Sequence, residues 1–149
     1  ISVSRNDGSK EDITFGIPPG IDDGETLRLT EKGEPSKHGG RPGNLYVRVH
    51  VKSHPKLRKE GYHLVSDLEL KISDTLLGTS YEIDTLEEKM TIKIPKGITH
   101  GEILRVKGKG VPINGRNVGD LLIRVFIKIP DNLSKKAKEA AETLRTEGY

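Results

Sequence analysis

Apolar and polar residues alternate with period two along most of the chain, the mark of half-buried strands. Ile13, Phe15 and Ile17 fall on one face, as do Leu45, Val47, Val49 and Val51. The same spacing joins Met90, Ile92 and Ile94, then Leu121, Ile123, Val125, Ile127 and Ile129. Leu68, Leu70 and Ile72, and Tyr81 with Ile83, predict two more strands. Residues 73–78 between them have room for about one helical turn, with Ser73 as N-cap and Gly78 as stop. After Pro130 the period changes. Ser134 reads as an N-cap for a helix over Lys135–Thr146, with Gly148 as its stop. Leu133, Ala137, Ala140, Ala141 and Leu144 share one face of that helix. A helix this short is marginal alone. Its stripe must dock, either on its own module or on a second copy of the chain.

Beneath this pattern lies a repeat. Residues 13–35 align without gaps to residues 90–112 at a spacing of 77, and twelve of the 23 positions are identical. They include Pro18/Pro95, Gly20/Gly97, Gly24/Gly101, Leu27/Leu104, Arg28/Arg105, Gly33/Gly110 and Pro35/Pro112. Residues 43–49 then match 119–125 at a spacing of 76. Duplication explains this better than chance. Gly24 and Gly101 each stand between two alternating runs, where a turn needs a residue tolerant of positive φ. Pro18 and Pro95 are placed to end strands. The second copy has a preamble of strand, short helix and strand. By symmetry the first should have one too, with its opening strand and helix upstream of Ile1. The expected divisions are 1–60, 61–130 and a C-terminal helix over 131–149, with residues 52–61 as a polar joint.

Composition narrows the function. Of 149 residues 32% are hydrophobic and 4% aromatic, so the core is thin and aliphatic. The net charge of +3 is spread over interleaved acids and bases, too weak a bias to mark a nucleic-acid binder. There are no cysteines, which removes disulfides and thiolate zinc sites and leans towards a reducing, cytoplasmic setting. No apolar run approaches the roughly 20 residues of a membrane span. His50 and His54 have the spacing of metal ligands only on a helix, and Pro55 follows, so no metal is expected. Gly108-Lys109-Gly110 lacks the further glycines and following helix of a phosphate loop, so it reads as a turn. No nucleophile or acid–base constellation stands out, and neither enzyme activity nor a cofactor is expected. Lys52, Lys56, Arg58 and Lys59 form a basic cluster with one apolar residue, Leu57, inside it. That fits a solvated joint or a charged-rim groove for an acidic partner.

The repeated PxGI…GE…LR…GxP pattern, the GGRPGNLYVRVHVKSHP stretch and TLEEKMTIKIPKGITHGEILRVKGKGVP resemble the C-terminal substrate-binding region of DnaJ-type (J-domain) co-chaperones. The resemblance implies a mainly β fold: two tandem β-sandwich-like modules with short helices, plus a C-terminal helix that makes a homodimer. It implies a role in protein folding and stress response. The first module would present a shallow groove to unfolded client polypeptides and to the acidic tail of the partner seventy-kilodalton heat-shock chaperone. Carried over by position, the peptide-binding residues are Ile1, Val3, Ile13, Phe15 and Leu57. Leu57 stands where the family often has Phe. The acidic-tail set is Lys10 with Lys56, Arg58 and Lys59, the last three by proximity in sequence. The dimerisation set is the stripe Leu133, Ala137, Ala140, Ala141 and Leu144. No His-Pro-Asp motif is present, since His54-Pro55 is followed by Lys56, so stimulation of ATP hydrolysis is not expected. The short turn between Val3 and Ile13 leaves no room for a cysteine-rich zinc module, pointing to the zinc-free subtype. Glu88 replaces a turn glycine common in relatives. The competing readings are a polyanion or nucleic-acid module, disfavoured because no aromatics interleave with residues 52–59, and a structural β-repeat scaffold.

Overall fold

The computed structural model describes residues 1–36, 39–114 and 117–149. The chain is mainly β, with several sheets and a C-terminal helix. Its backbone divides into two compact units.

The first unit comprises residues 1–65 and 107–121. It holds β1 (Ser2–Ser4), β2 (Lys10–Asp12), β3 (Thr26–Leu29), β4 (Leu45–Arg48) and β5 (Arg58–Glu60). Strand β1 pairs antiparallel with β2, and β3 with β4 in the register Leu27↔Val47. The long strand β6 (His63–Lys71) begins here, with β5 paired to its start through Arg58↔Val65. Ile13, Leu57, Leu64, Val65, Val111 and Leu121 are buried. Residues 52–61 are therefore more than a solvated joint. They contain β5, and Leu57 is only 6% exposed.

The second unit comprises residues 66–106 and 122–149. After β6 come α1 (Ile72–Leu77), β7 (Thr79–Asp84), β8 (Lys89–Ile94) and β9 (Ile103–Val106). The short β10 (Pro112–Asn114) and β11 (Asn117–Val118) belong to the first unit, and β12 (Leu121–Lys128) and α2 (Lys135–Thr146) follow. The largest sheet runs β5-β6-β12-β9. In β12, Leu121, Ile123 and Val125 are at most 1% exposed, as the period-two pattern requires. Burying each such side chain contributes roughly 1.5–3 kcal/mol.

The duplication reappears as duplicated hydrogen bonds. Gly24 N–H donates to the Val49 carbonyl and Val49 N–H to that of Glu25, both at 2.8 Å. Gly101, Val125 and Glu102 repeat this pair at 2.8 and 2.9 Å. Gly33 N–H reaches the Gly43 carbonyl at 2.8 Å, and Gly110 reaches Gly119 at 2.9 Å. The last two glycines are required by close approach. A Cβ on Gly33 would lie 2.6 Å from the Asn44 carbonyl oxygen, and one on Gly110 2.4 Å from the Gly119 carbonyl carbon.

Several local expectations need correction. Residues 13–17 form no strand, although β8 forms in the second copy. The ladder of β1 with β2 reaches its last pair at Ile1 and Ile13. Residues 14–17 lie beyond that last pair. Pro18 consequently ends no strand, whereas Pro95 directly follows β8. Val49, Val51 and Ile129 lie beyond the ends of β4 and β12. Ser73 is not the cap of α1. The helix starts at Ile72 directly from β6, Lys71 is its N-cap residue, and no side chain caps it. Gly78 does stop it, at φ 76. The C-terminal helix spans the expected residues, with Ser134 Oγ accepting from Ala137 N–H at 3.2 Å. No described helix is long and apolar enough to cross a membrane.

Candidate peptide-binding surface

Of the sequence-derived groove residues, Ile1, Val3 and Ile13 fall on the hairpin of β1 and β2, Phe15 follows it in the chain, and Leu57 directly precedes β5. The hairpin turn is built by Asp7, whose carboxylate accepts from Ser9 N–H at 2.8 Å and Ser9 Oγ at 2.6 Å. These donors hold the Asp7 carboxyl below its ordinary value of 3.8. Gly8 supplies the positive φ of 82. At the open end, Ile13 N–H donates to the Ile1 carbonyl at 2.8 Å, and the Ile1 backbone nitrogen donates to the Ile13 carbonyl at 3.0 Å.

The register sorts the side chains. Val3 faces Glu11 across the hairpin, and Ile1 faces Ile13. Opposite partners share a face, so Ile1, Val3 and Ile13 line one side. Ser2 with Asp12 and Ser4 with Lys10 line the other. Lys10 is thus on the face opposite the apolar residues. Ile13 is 4% exposed and Leu57 6%, so both are packed inside. Ile1 is 55% exposed, and Val3 and Phe15 are half-buried.

Leu57 is positioned by a turn that the histidine makes. His54 Nδ1 accepts from Lys56 N–H at 3.2 Å and Leu57 N–H at 3.1 Å. His63 Nδ1 accepts from Asp120 N–H at 3.0 Å, and His100 Nδ1 from Ile127 N–H at 3.2 Å. His50 faces Asp23 at 3.6 Å. His38 lies outside the described residues. Among the described residues no group of three or more His, Asp or Glu could hold a metal ion. The Gly108-Lys-Gly110 backbone is also occupied: Gly108 N–H donates to the Asp120 carboxylate at 2.8 Å, and Gly110 bonds Gly119 as above. Of the basic residues near Leu57, Lys56 and Arg58 are exposed, while Lys59 is half-buried and ion-paired to Asp22.

Sequence reasoning passed over Arg5. Its side chain is 8% exposed and pairs with Glu11 within the hairpin. It also donates to the carbonyls of Lys32 at 3.1 Å and Gly33 at 2.7 Å. One guanidinium thereby ties the hairpin to the glycine turn of the repeated core. An arginine in the alternating polar run at 2–12 has no periodic signature, so only its partners disclose it. Asp120 was also missed, but a signal existed. It aligns with Asn44, whose Oδ1 accepts from Glu31 N–H at 3.3 Å, the counterpart of the Gly108 bond.

On the C-terminal helix Ala137 is half-buried, and Leu133, Ala140, Ala141 and Leu144 are exposed. Ala140 and Leu144, with Ile72, Leu76 and Leu77 of α1 and with Tyr149, line an apolar cavity of about 810 Å³ within the second unit. In the neighbouring hairpin, Glu82 accepts from Lys89 Nζ at 3.0 Å and raises that ammonium above its ordinary 10.5. Thr85 Oγ1 accepts from Glu88 N–H at 3.1 Å, which closes the turn without a glycine.

The architecture is thus that of a duplicated β-module with apolar strand faces. A family model described as the DnaJ C terminal domain matches residues 1–130. The chain belongs to the DnaJ C-terminal domain family. That is a chaperone domain and not a catalytic family, and membership supports a co-chaperone role.

Proposed function

We propose that the chain holds extended segments of non-native polypeptide at the β1–β2 hairpin, and that the acidic tail of a partner seventy-kilodalton heat-shock chaperone competes there. The observation that carries this reading is the hairpin itself, in a chain of this family. Its strands form a two-stranded sheet, and Ile1, Val3 and Phe15 keep exposed apolar surface beside it. A strand edge pairs with an extended backbone, and alternate side chains seat on the apolar face. One Leu- or Phe-sized side chain contributes roughly 1.5–3 kcal/mol, and ordering the segment offsets part of it. Capture is therefore weak and reversible. Lys10, Lys56 and Arg58 supply positive charge for the acidic tail. Lys59 belongs to the same set, because its ion pair with the well-exposed Asp22 carboxylate is weak enough for an acidic chain to displace.

Two copies joined through Leu133, Ala137, Ala140, Ala141 and Leu144 would raise holding strength by effective concentration. The exposure of Leu133 and Leu144, 41% and 42%, supports this.

The decisive experiment is suppression of aggregation of a chemically denatured client. Val3→Asp should abolish most of the holding while leaving the unfolding midpoint nearly unchanged. Leu57→Asp is a poorer choice, because a buried charge there unfolds the unit. Holding that survives Val3→Asp at full strength refutes the site. Cutting the chain after Pro130 should halve the mass seen by light scattering, and an unaltered mass removes the dimer.

A further inference from the structure

A cavity of about 440 Å³ opens within the first unit, and none of its lining residues belongs to the β1–β2 hairpin. Its apolar lining is Pro18, Pro19, Ile21, Tyr62, Pro112 and Ile113. Tyr62 is 52% and Ile113 42% exposed. Its charged lining is Asp22, Glu25 and Lys59. Two carboxylates against one ammonium leave the cavity short of positive charge.

The second copy shows which of these groups the fold itself needs. Thr99 stands where Asp22 does, and the two turns share their bonds. Asp22 N–H donates to the Glu25 carboxylate at 3.1 Å, and Thr99 N–H to that of Glu102 at 3.0 Å. Glu25 N–H donates to the Asp22 carbonyl at 3.3 Å, and Glu102 N–H to that of Thr99 at 3.3 Å. The Thr99 hydroxyl also donates to Glu102 at 3.2 Å. A carboxylate cannot donate to Glu25, so the Asp22 side chain turns to Lys59 instead. The charge of Asp22 is therefore surplus to the turn. The Asp22 side chain is 74% exposed and that of Lys59 26%, and an ion pair with so exposed a member holds weakly.

We propose that this cavity receives an arginine side chain of a bound polypeptide, with Lys59 as the resident cation it displaces. A guanidinium suits the lining better than an ammonium does. It is planar, weakly hydrated and able to bind the Asp22 carboxylate through two N–H groups. Its plane stacks on an aromatic face such as that of Tyr62. Its aliphatic stem covers proline and isoleucine surface while the charge stays on the carboxylate. Displaced Lys59 returns to water with its charge intact. The site gives the chaperone a preference for segments carrying arginine, in addition to the apolar preference of the hairpin.

The test is an NMR titration of the full chain with the acetylated amides of arginine, norleucine and aspartate. Arginine should give saturating shifts at Tyr62, Ile113 and Lys59, with norleucine at least tenfold weaker. Asp22→Thr installs the residue of the second copy and preserves the turn. It should weaken arginine binding about tenfold, whereas Lys59→Met should strengthen it severalfold. Val3→Asp should leave it unchanged, which separates this site from the hairpin. Equal binding of norleucine overturns the proposal. So does saturation by aspartate that improves in Asp22→Thr, since the cavity would then be an anion site on Lys59.

Discussion

The two copies of the repeat make the same turns with different residues, and the differences separate what the fold requires from what each copy adds. Gly33 and Gly110 are common to both because backbone passes within 3 Å of where a Cβ would sit. Asp23 and His100 stand at one position and do one job: each side chain accepts a distant backbone N–H, that of Val51 just past β4 at 2.8 Å and that of Ile127 near the end of β12 at 3.2 Å. Glu31 and Gly108 share a left-handed backbone, with φ of 59 and 68. Here the first copy carries strain that the second avoids. The hairpins differ most. Strands β7 and β8 pair over six residues each, while β1 and β2 pair over three.

Changes at these positions sharpen the comparison. Gly33→Ala and Gly110→Ala should each lower stability by about 3 kcal/mol, because backbone and not a flexible side chain must move. Urea unfolding measures both, and a loss under 1 kcal/mol in either would mean that its turn opens easily. Arg5→Met comes next. It strips the Lys32 and Gly33 carbonyls of a charged donor, with an expected loss of roughly 1–3 kcal/mol. Hydrogen exchange should speed up at Ile13 and Gly8 before it does in β12; uniform acceleration would show that Arg5 serves the whole fold and not the hairpin. The smallest effect is the exchange at the strained position. Glu31→Gly should stabilise by about 0.5–1 kcal/mol and Gly108→Glu should destabilise by about 1 kcal/mol. Equal and opposite shifts in unfolding midpoint would show that the two turns are interchangeable.

The strands and the C-terminal helix were legible in the sequence because side-chain period and capping are local. Leu121, Ile123 and Val125 alternate into the core as their spacing demands, and Ser134 caps where its position says. What was not legible depends on partners distant in sequence. Residues 13–17 alternate as well as β8 does, yet alternation tells only which face a side chain would take and not which backbone it would pair with. Ser73 has the chemistry of an N-cap, but β6 runs straight into α1, so the helix starts one residue earlier and Ser73 lies inside it. Leu57 looked like a lone apolar residue on a charged joint, and the pairing of β5 with β6 draws it inside. For the candidate site, Ile1, Val3 and Ile13 do share a face. Arg5, which anchors that face, could be found only from its carbonyl partners 27 and 28 residues away.

The first unit is also discontinuous: residues 107–121 return to it after the whole of 66–106 has been laid down. Val111 N–H closes on the Tyr62 carbonyl at 2.9 Å, and Leu64 N–H on that of Asp120 at 2.9 Å. During synthesis these acceptors and donors must wait for residues made later. At ribosomal rates the delay is roughly 2–11 s. For that interval Leu57, Leu64 and Val65 lack part of their cover, so a chaperone domain is itself briefly a chain with exposed apolar surface. A nascent chain stalled before residue 107 should be open to protease at Leu57–Val65, and release past residue 121 should close it.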